Sequence, residues 1–186
     1  LSSLSQDLSP IQIGTKGTTA NRTFQVIGVL RKGRDYLRWN EWRILFDNGD
    51  WGWLSEGNGQ LILFDQPPIE LAGRTNLDVG QSFKASQTAD QTSYQVTEKA
   101  SAVLLAAEGE LNVAVTQGQQ LNYVDAREVG GSGFATVDQT DHGIEVWLGR
   151  VVEMTSLQLA NLRPFVGWSD SVLLNYEGPQ ITSVRP

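Results

Sequence analysis

Aromatic and acidic residues concentrate in one predicted hairpin of this chain. The hairpin contains Trp39-Asn40-Glu41-Trp42, turns at Asp47-Asn48-Gly49-Asp50, and returns through Trp51-Gly52-Trp53 to Glu56. The Asn-Gly pair indicates a tight turn because it readily adopts positive φ. Indoles beside carboxylates can bind a sugar, a base or a cation. Because aromatic residues are most often used in packing, we favour a core role and keep the binding role open.

Period-two alternation decides which of these side chains can act together. On a strand, Trp39 and Glu41 share one face and Trp42 lies on the other. We expect Glu41 and Glu56 to meet across the hairpin. Paired carboxylates serve glycoside hydrolysis or bind a hard cation such as calcium. The candidate ligand-binding residues are Trp39, Glu41, Trp42, Trp51, Trp53, Glu56, Glu108, Glu110 and Asp125.

A second pair of carboxylates occurs at Glu108-Gly109-Glu110. If Gly109 is extended, both acids lie on the same side of a strand, and they could act as the acid and base of a hydrolase. We rank this interpretation lowest, because isolated acids mostly lie in solvent.

The sequence contains no recognisable catalytic or cofactor-binding motif. His142 is the only histidine, and no Gly-x-Ser-x-Gly elbow is present to supply a nucleophile. Phosphate loops and dinucleotide fingerprints are also missing. We therefore interpret His142 as a turn residue and predict no catalysis, no cofactor and no metal site.

Composition limits the partners of the chain. The 186 residues carry 14 basic and 21 acidic side chains, a net charge of −7, and no cysteine. This charge disfavours nucleic acid and anionic membranes, but it permits a polycation or a protein partner. With no apolar run near 20 residues and no visible signal peptide, we predict a cytoplasmic protein without membrane insertion. The chain begins at Leu1, which suggests a missing N-terminal segment.

Short alternating segments separated by Gly, Pro and Asn predict an all-β fold with at most one short helix, at 155–162. Leu77-Asp78-Val79-Gly80 echoes Ile11-Gln12-Ile13-Gly14, and Tyr94-Gln95-Val96 echoes Phe24-Gln25-Val26. We interpret this echo as a duplication and predict two tandem, related, SH3-like β-barrel modules packed together. A single β-sandwich is the alternative. The predicted boundaries are a lead-in at 1–9, modules at 10–66 and 77–163, a linker at 67–76, and a C-terminal extension at 164–186.

In their order along the chain, several of these motifs resemble the bacterial family of domain of unknown function 4178. The first half contributes the apolar-Gly entry, the Phe-x-Val-x-Gly strand, the Trp-x-Glu-Trp segment and a Trp-Leu strand. The second half contributes Ala-Glu-Gly-Glu-Leu, Tyr-x-Asp, Phe-Ala-Thr and Leu-Gly-Arg. They stand here at Ile13-Gly14, Phe24–Gly28, Trp39–Trp42, Trp53–Glu56, Ala107–Leu111, Tyr123–Asp125, Phe134–Thr136 and Leu148–Arg150.

The resemblance implies a protein without an established activity. Family members often look like parts of larger chains with cysteine-rich zinc ribbons, which this segment lacks. Their genes tend to neighbour genes of polyamine metabolism. We therefore favour a non-catalytic binding or assembly module that is accessory to polyamine metabolism. The alternative is a small-ligand or cation-binding domain that uses the Trp/Glu hairpin.

Overall fold

The computed structural model describes residues 9–57, 60–71, 76–140 and 143–164, and most of these residues lie in strands. The strands are β1 (Lys16–Thr18), β2 (Thr23–Arg34), β3 (Leu37–Phe46), β4 (Trp51–Gly57), β5 (Gln60–Phe64), β6 (Ile69–Leu71), β7 (Ser82–Ala85), β8 (Thr92–Gly109), β9 (Gln120–Glu128), β10 (Gly133–Thr140) and β11 (Gly143–Val152). The all-β prediction is confirmed.

Eight of these strands form a closed barrel. Strands β2 to β5 make one antiparallel meander, and β8 to β11 make another. The two meanders join because β2 pairs with β8 and β5 pairs with β11. Strands β1, β6 and β7 pair with β2, β11 and β8 respectively. Closure leaves none of the eight barrel strands as an unpaired edge.

Each meander buries its own hydrophobic cluster on one face. The first cluster comprises Ile11, Phe24, Val26, Val29, Trp42, Ile44, Phe46, Leu54, Leu61, Leu63, Met154, Leu157 and Leu159. The second comprises Leu77, Phe83, Ala85, Tyr94, Val96, Val124, Ala126, Ala135, Val137, Ile144 and Val146. Because side chains alternate along a strand, the remaining positions lie on the opposite face of the same sheet.

That opposite face lines the interior of the barrel, which we call the lumen. The rings of Trp39 on β3 and Tyr123 on β9 meet there, with centroids 5.9 Å apart. Phe64 on β5 and Phe134 on β10 make a similar contact at 6.0 Å. Neither contact joins neighbouring strands of the sheet, so both place these rings on its inner, concave face.

The two halves of the chain have the same turn and the same strand register. The Gly14 amide donates to the Val26 carbonyl at 2.8 Å, and the Gly80 amide donates to the Val96 carbonyl at 2.9 Å. Both glycines have positive φ, 95° and 88°. A register shift follows each valine, in the β2–β3 pair and in the β8–β9 pair. These are the segments in which the sequence echo occurs.

The predicted helix at 155–162 is wrong in extent. A single 3-10 turn covers Met154–Leu157, and it ends because Gln158 adopts a left-handed conformation with φ 47°. Ala160 then bridges to Lys16 beside β1. No helix among the described residues is long and apolar enough to cross a membrane. The predicted linker at 67–76 contains β6, and the extension beyond residue 164 lies outside the described residues.

Candidate functional site

The hairpin β3–β4 divides the candidate residues between its two faces. Its register opposes Glu41 to Ser55 and Asn40 to Glu56. The expected meeting of Glu41 and Glu56 is therefore wrong, because a register difference of one residue places two side chains on opposite faces. The faces themselves follow the alternation. Trp39, Glu41, Trp51 and Trp53 lie on the lumen face, and Trp42 and Glu56 lie on the face of the first hydrophobic cluster.

Glu56 is fully buried and is bound by hydrogen bonds. Its Oε1 accepts from the Ser9 hydroxyl at 2.8 Å, and its Oε2 accepts from Trp42 Nε1 at 3.0 Å and from Asn40 Nδ2 at 3.4 Å. Donors converge on both oxygens, which is how proteins accommodate a buried carboxylate. This arrangement gives Glu56 and Trp42 a structural role.

The lumen brings together a second group of acidic and aromatic side chains. Glu41 accepts from Trp39 Nε1 at 3.2 Å and forms a salt bridge of 2.6 Å with Lys32. Across the lumen from Trp39, the Tyr123 hydroxyl accepts from Arg34 at 3.1 Å. Glu41, Trp39 and Tyr123 are each half-buried, so solvent reaches the group.

Three lumen carboxylates lack a salt bridge to any described residue: Asp125, Asp138, and Glu145, which stands opposite Asp138 on β11. Asp125 stands opposite Thr136 on β10 and accepts a hydrogen bond from its hydroxyl. Asp138 accepts from Trp147 on β11. The negative charge of Glu41 acts on both aspartates. The lumen thus concentrates negative charge beside aromatic rings.

Burial, together with the charges of Glu98 and Glu41, raises the pKa of Asp125 to about 6. Burial and the charge of Glu41 also raise the pKa of Asp138. Solvent reaches the Asp138 side chain, so we expect a smaller rise there than at Asp125. Burial, followed by the charge of Glu98, raises the pKa of Tyr123 to about 12, and this phenol stays protonated at neutral pH.

The raised pKa of Asp125 has a consequence for stability. Between pH 4 and 6 the folded chain holds a proton that the unfolded chain releases, so stability from this group decreases as pH rises. We expect Asp125→Asn to increase the free energy of unfolding at pH 7.5 by about 1 kcal/mol, with little effect at pH 4. Urea unfolding at both pH values measures this difference. An equal effect at both pH values would contradict it, and Glu108→Gln serves as the exposed control.

Arg43 is a functional candidate that the sequence analysis missed. Arg43 is 9% exposed, and its guanidinium lies 4.7 Å from the ring centroids of both Trp51 and Trp53. Its Nε has no hydrogen-bond partner, and Arg43 forms no salt bridge with the described residues. Burial lowers the pKa of the guanidinium. Cation–π contacts contribute about 0.5–2 kcal/mol, but they supply no acceptor for the buried Nε–H.

The period-two alternation of the strand was enough to predict that Arg43 lies beside the candidate residues. Arg43 is two residues after Glu41, and therefore on the face of Trp39 and Glu41. Lys32 stands opposite Trp39 in the neighbouring hairpin β2–β3, so the alternation of that hairpin also pointed to it. Asp138 is distant in sequence, and only barrel closure brings it to this face.

Glu108 and Glu110 do not form the arrangement that a hydrolase pair requires. Gly109 between them has φ 77°, so the chain there is not extended as expected. Glu108 and Glu110 are both exposed, and Arg31 Nη1 lies 3.9 Å from Glu108 Oε1. His142 lies outside the described residues. Among the described residues, no group of three or more His, Asp or Glu side chains is arranged to hold a metal ion.

Comparison with known proteins identifies the family of this chain. No curated protein and no solved structure matches the chain. One protein family matches residues 12–154, which span β1 to β11 and the start of the 3-10 turn. The match includes every candidate residue of the lumen. The chain therefore belongs to the family described as Domain of unknown function (DUF4178).

Proposed function

We propose that this domain is a non-catalytic binding module whose lumen takes a small organic cation of the polyamine class. One observation carries the proposal. Asp125 and Asp138 present carboxylates without salt bridges beside Glu41, on a face that also holds the rings of Trp39 and Tyr123. An ammonium group would be bound by the carboxylates, and the methylene chain and positive charge would pack against the rings.

The other lumen charges support this assignment. Glu41 is paired with Lys32 at 2.6 Å, and Glu98 with Arg34 at 2.6 Å. These bridges neutralise Lys32 and Arg34 and leave the negative charge of the lumen at Asp125, Asp138 and Glu145. A ligand cation would lower the pKa of Asp125 toward its ordinary value, because an opposite charge favours the ionised carboxylate.

Spermidine titration tests this function. We expect a saturable change in tryptophan fluorescence at pH 7.5, with at least a tenfold weaker affinity for Asp125→Asn, because one charge-assisted contact is worth about 1.5–3 kcal/mol. Glu108→Gln removes an exposed acid and is the matched control, for which unchanged affinity is expected. Calcium chloride at the same ionic strength separates an organic-cation site from general attraction of cations.

No saturable response to millimolar spermidine would contradict the proposal. An equal response to calcium, or an equal loss of affinity in both variants, would also contradict it. A functional role as an accessory to polyamine enzymes rests on the same titration, since it requires the ligand to bind.

We also propose that the two halves are related modules joined edge to edge. The equivalent strands β2 and β8 pair with each other, and so do β5 and β11. Two such antiparallel pairings are expected when a module packs against its own copy about a two-fold axis. The repeated glycine turn and bulge support this relation. The lumen side chains of the two halves differ, because the same register position after the bulge holds Arg43 in the first half and Asp125 in the second.

A further inference from the structure

We infer that Arg43 binds the carboxylate group of a small molecule in the lumen. The inference stands on Arg43 and its two indoles, and it does not depend on the cation site. Arg43 is the described arginine that combines burial with the absence of any hydrogen bond or salt bridge. The Nε–H of Arg43 is buried without an acceptor, and leaving a polar group unpaired away from water is unfavourable. A bound anion would remove that penalty.

Two other arginines also stack on aromatic rings, but each of them forms hydrogen bonds with acceptors elsewhere in the chain. Arg22 lies 3.9 Å from the Phe46 centroid, and it also binds Asp50 at 3.0 Å and the Asp65 carbonyl at 2.8 Å. Arg127 lies over Phe134 but is exposed, and it donates to Gln60 at 3.4 Å. Among the described residues, the fold supplies acceptors to its other stacked arginines and supplies none to Arg43.

The surroundings favour a carboxylate over other anions. The rings of Trp51 and Trp53 both lie close to the guanidinium, so a ligand must approach it along its free edge. A carboxylate matches that edge with two parallel N–H···O bonds. Glu41 on the same face is already bound by Lys32 and Trp39. The negative lumen disfavours a dianion such as phosphate more than a monoanion.

Nuclear magnetic resonance of the full chain tests the inference. The Arg43 Nε–H is closed off from solvent, so its proton exchanges slowly and gives an observable signal. With sodium acetate we expect saturable shifts of this signal and of the Trp51 and Trp53 indole signals below about 100 mM. Sodium chloride at equal ionic strength should leave them in place.

Matched variants locate the response. Arg43→Met should fold with unchanged or higher thermal stability, because it removes an unpaired buried cation, and its indole signals should no longer respond to acetate. Arg22→Met, the control, should keep the acetate response. Arg43→Met should also keep the spermidine response, and Asp125→Asn should keep the acetate response, which separates this site from the proposed cation site.

Three results would overturn the inference. Chloride could shift the same signals as acetate, which would show general screening. Phosphate could bind more tightly than acetate, which would exclude a carboxylate site. Arg43→Met could retain the acetate shifts at both indoles, which would place the anion elsewhere.

Discussion

Replacing Glu56 by alanine is expected to lower the free energy of unfolding by about 3–5 kcal/mol. The loss follows from the position of Glu56 in the first hydrophobic cluster, where its oxygens accept from Ser9, Asn40 and Trp42. Alanine leaves these buried donors without that acceptor and creates a cavity. Urea unfolding followed by tryptophan fluorescence measures the effect.

Two further variants separate hydrogen bonding from volume at this position. Glu56→Gln keeps the shape but turns one acceptor into a donor, so we expect a smaller loss of about 1–3 kcal/mol. Glu108→Ala removes an exposed acid and should change stability by less than about 0.5 kcal/mol. If Glu56→Ala and Glu108→Ala unfolded at the same urea concentration, the structural role of Glu56 would be rejected.

Replacing Gly109 by alanine is expected to destabilise the closed barrel by about 3 kcal/mol or more. Gly109 pairs with Gly28 where β8 joins β2. A Cβ on Gly109 would lie 2.3 Å from the Ile27 carbonyl oxygen and 2.8 Å from the Gly28 Cα. Both contacts are with backbone, so relief requires β2 and β8 to move apart. The positive φ of 77° adds conformational strain.

Gly118→Ala is a close control for this prediction. Gly118 has a similar φ of 84°, but a Cβ there meets no atom within 4 Å. Alanine at 118 therefore has only the conformational cost of about 1–2 kcal/mol. Thermal unfolding of the two variants compares the same backbone conformation with and without the close approach of strands. Equal destabilisation would show that packing at the β2–β8 junction adds nothing.

Local sequence determined the strands and their faces. Alternation placed Trp39 and Glu41 on one face and Trp42 on the other, as the structure has them. The Asn48-Gly49 turn set the hairpin because Gly49 takes positive φ, 89°. The short echoes around Gly14 and Gly80 coincide with the same turn in both segments. These features depend on residues close together in the chain, so a sequence reveals them.

Only the tertiary structure decided which strands close the barrel and which side chains meet inside it. Any alternating strand can pair with another, so the sequence does not select β8 for β2 or β11 for β5. Those two pairings make one face of each meander a lumen and place Asp125 opposite the Trp39–Glu41 face. Arg43 and its two indoles meet within the local β3–β4 hairpin, whereas the lack of an acceptor for Arg43 among the described residues depends on the whole closed barrel.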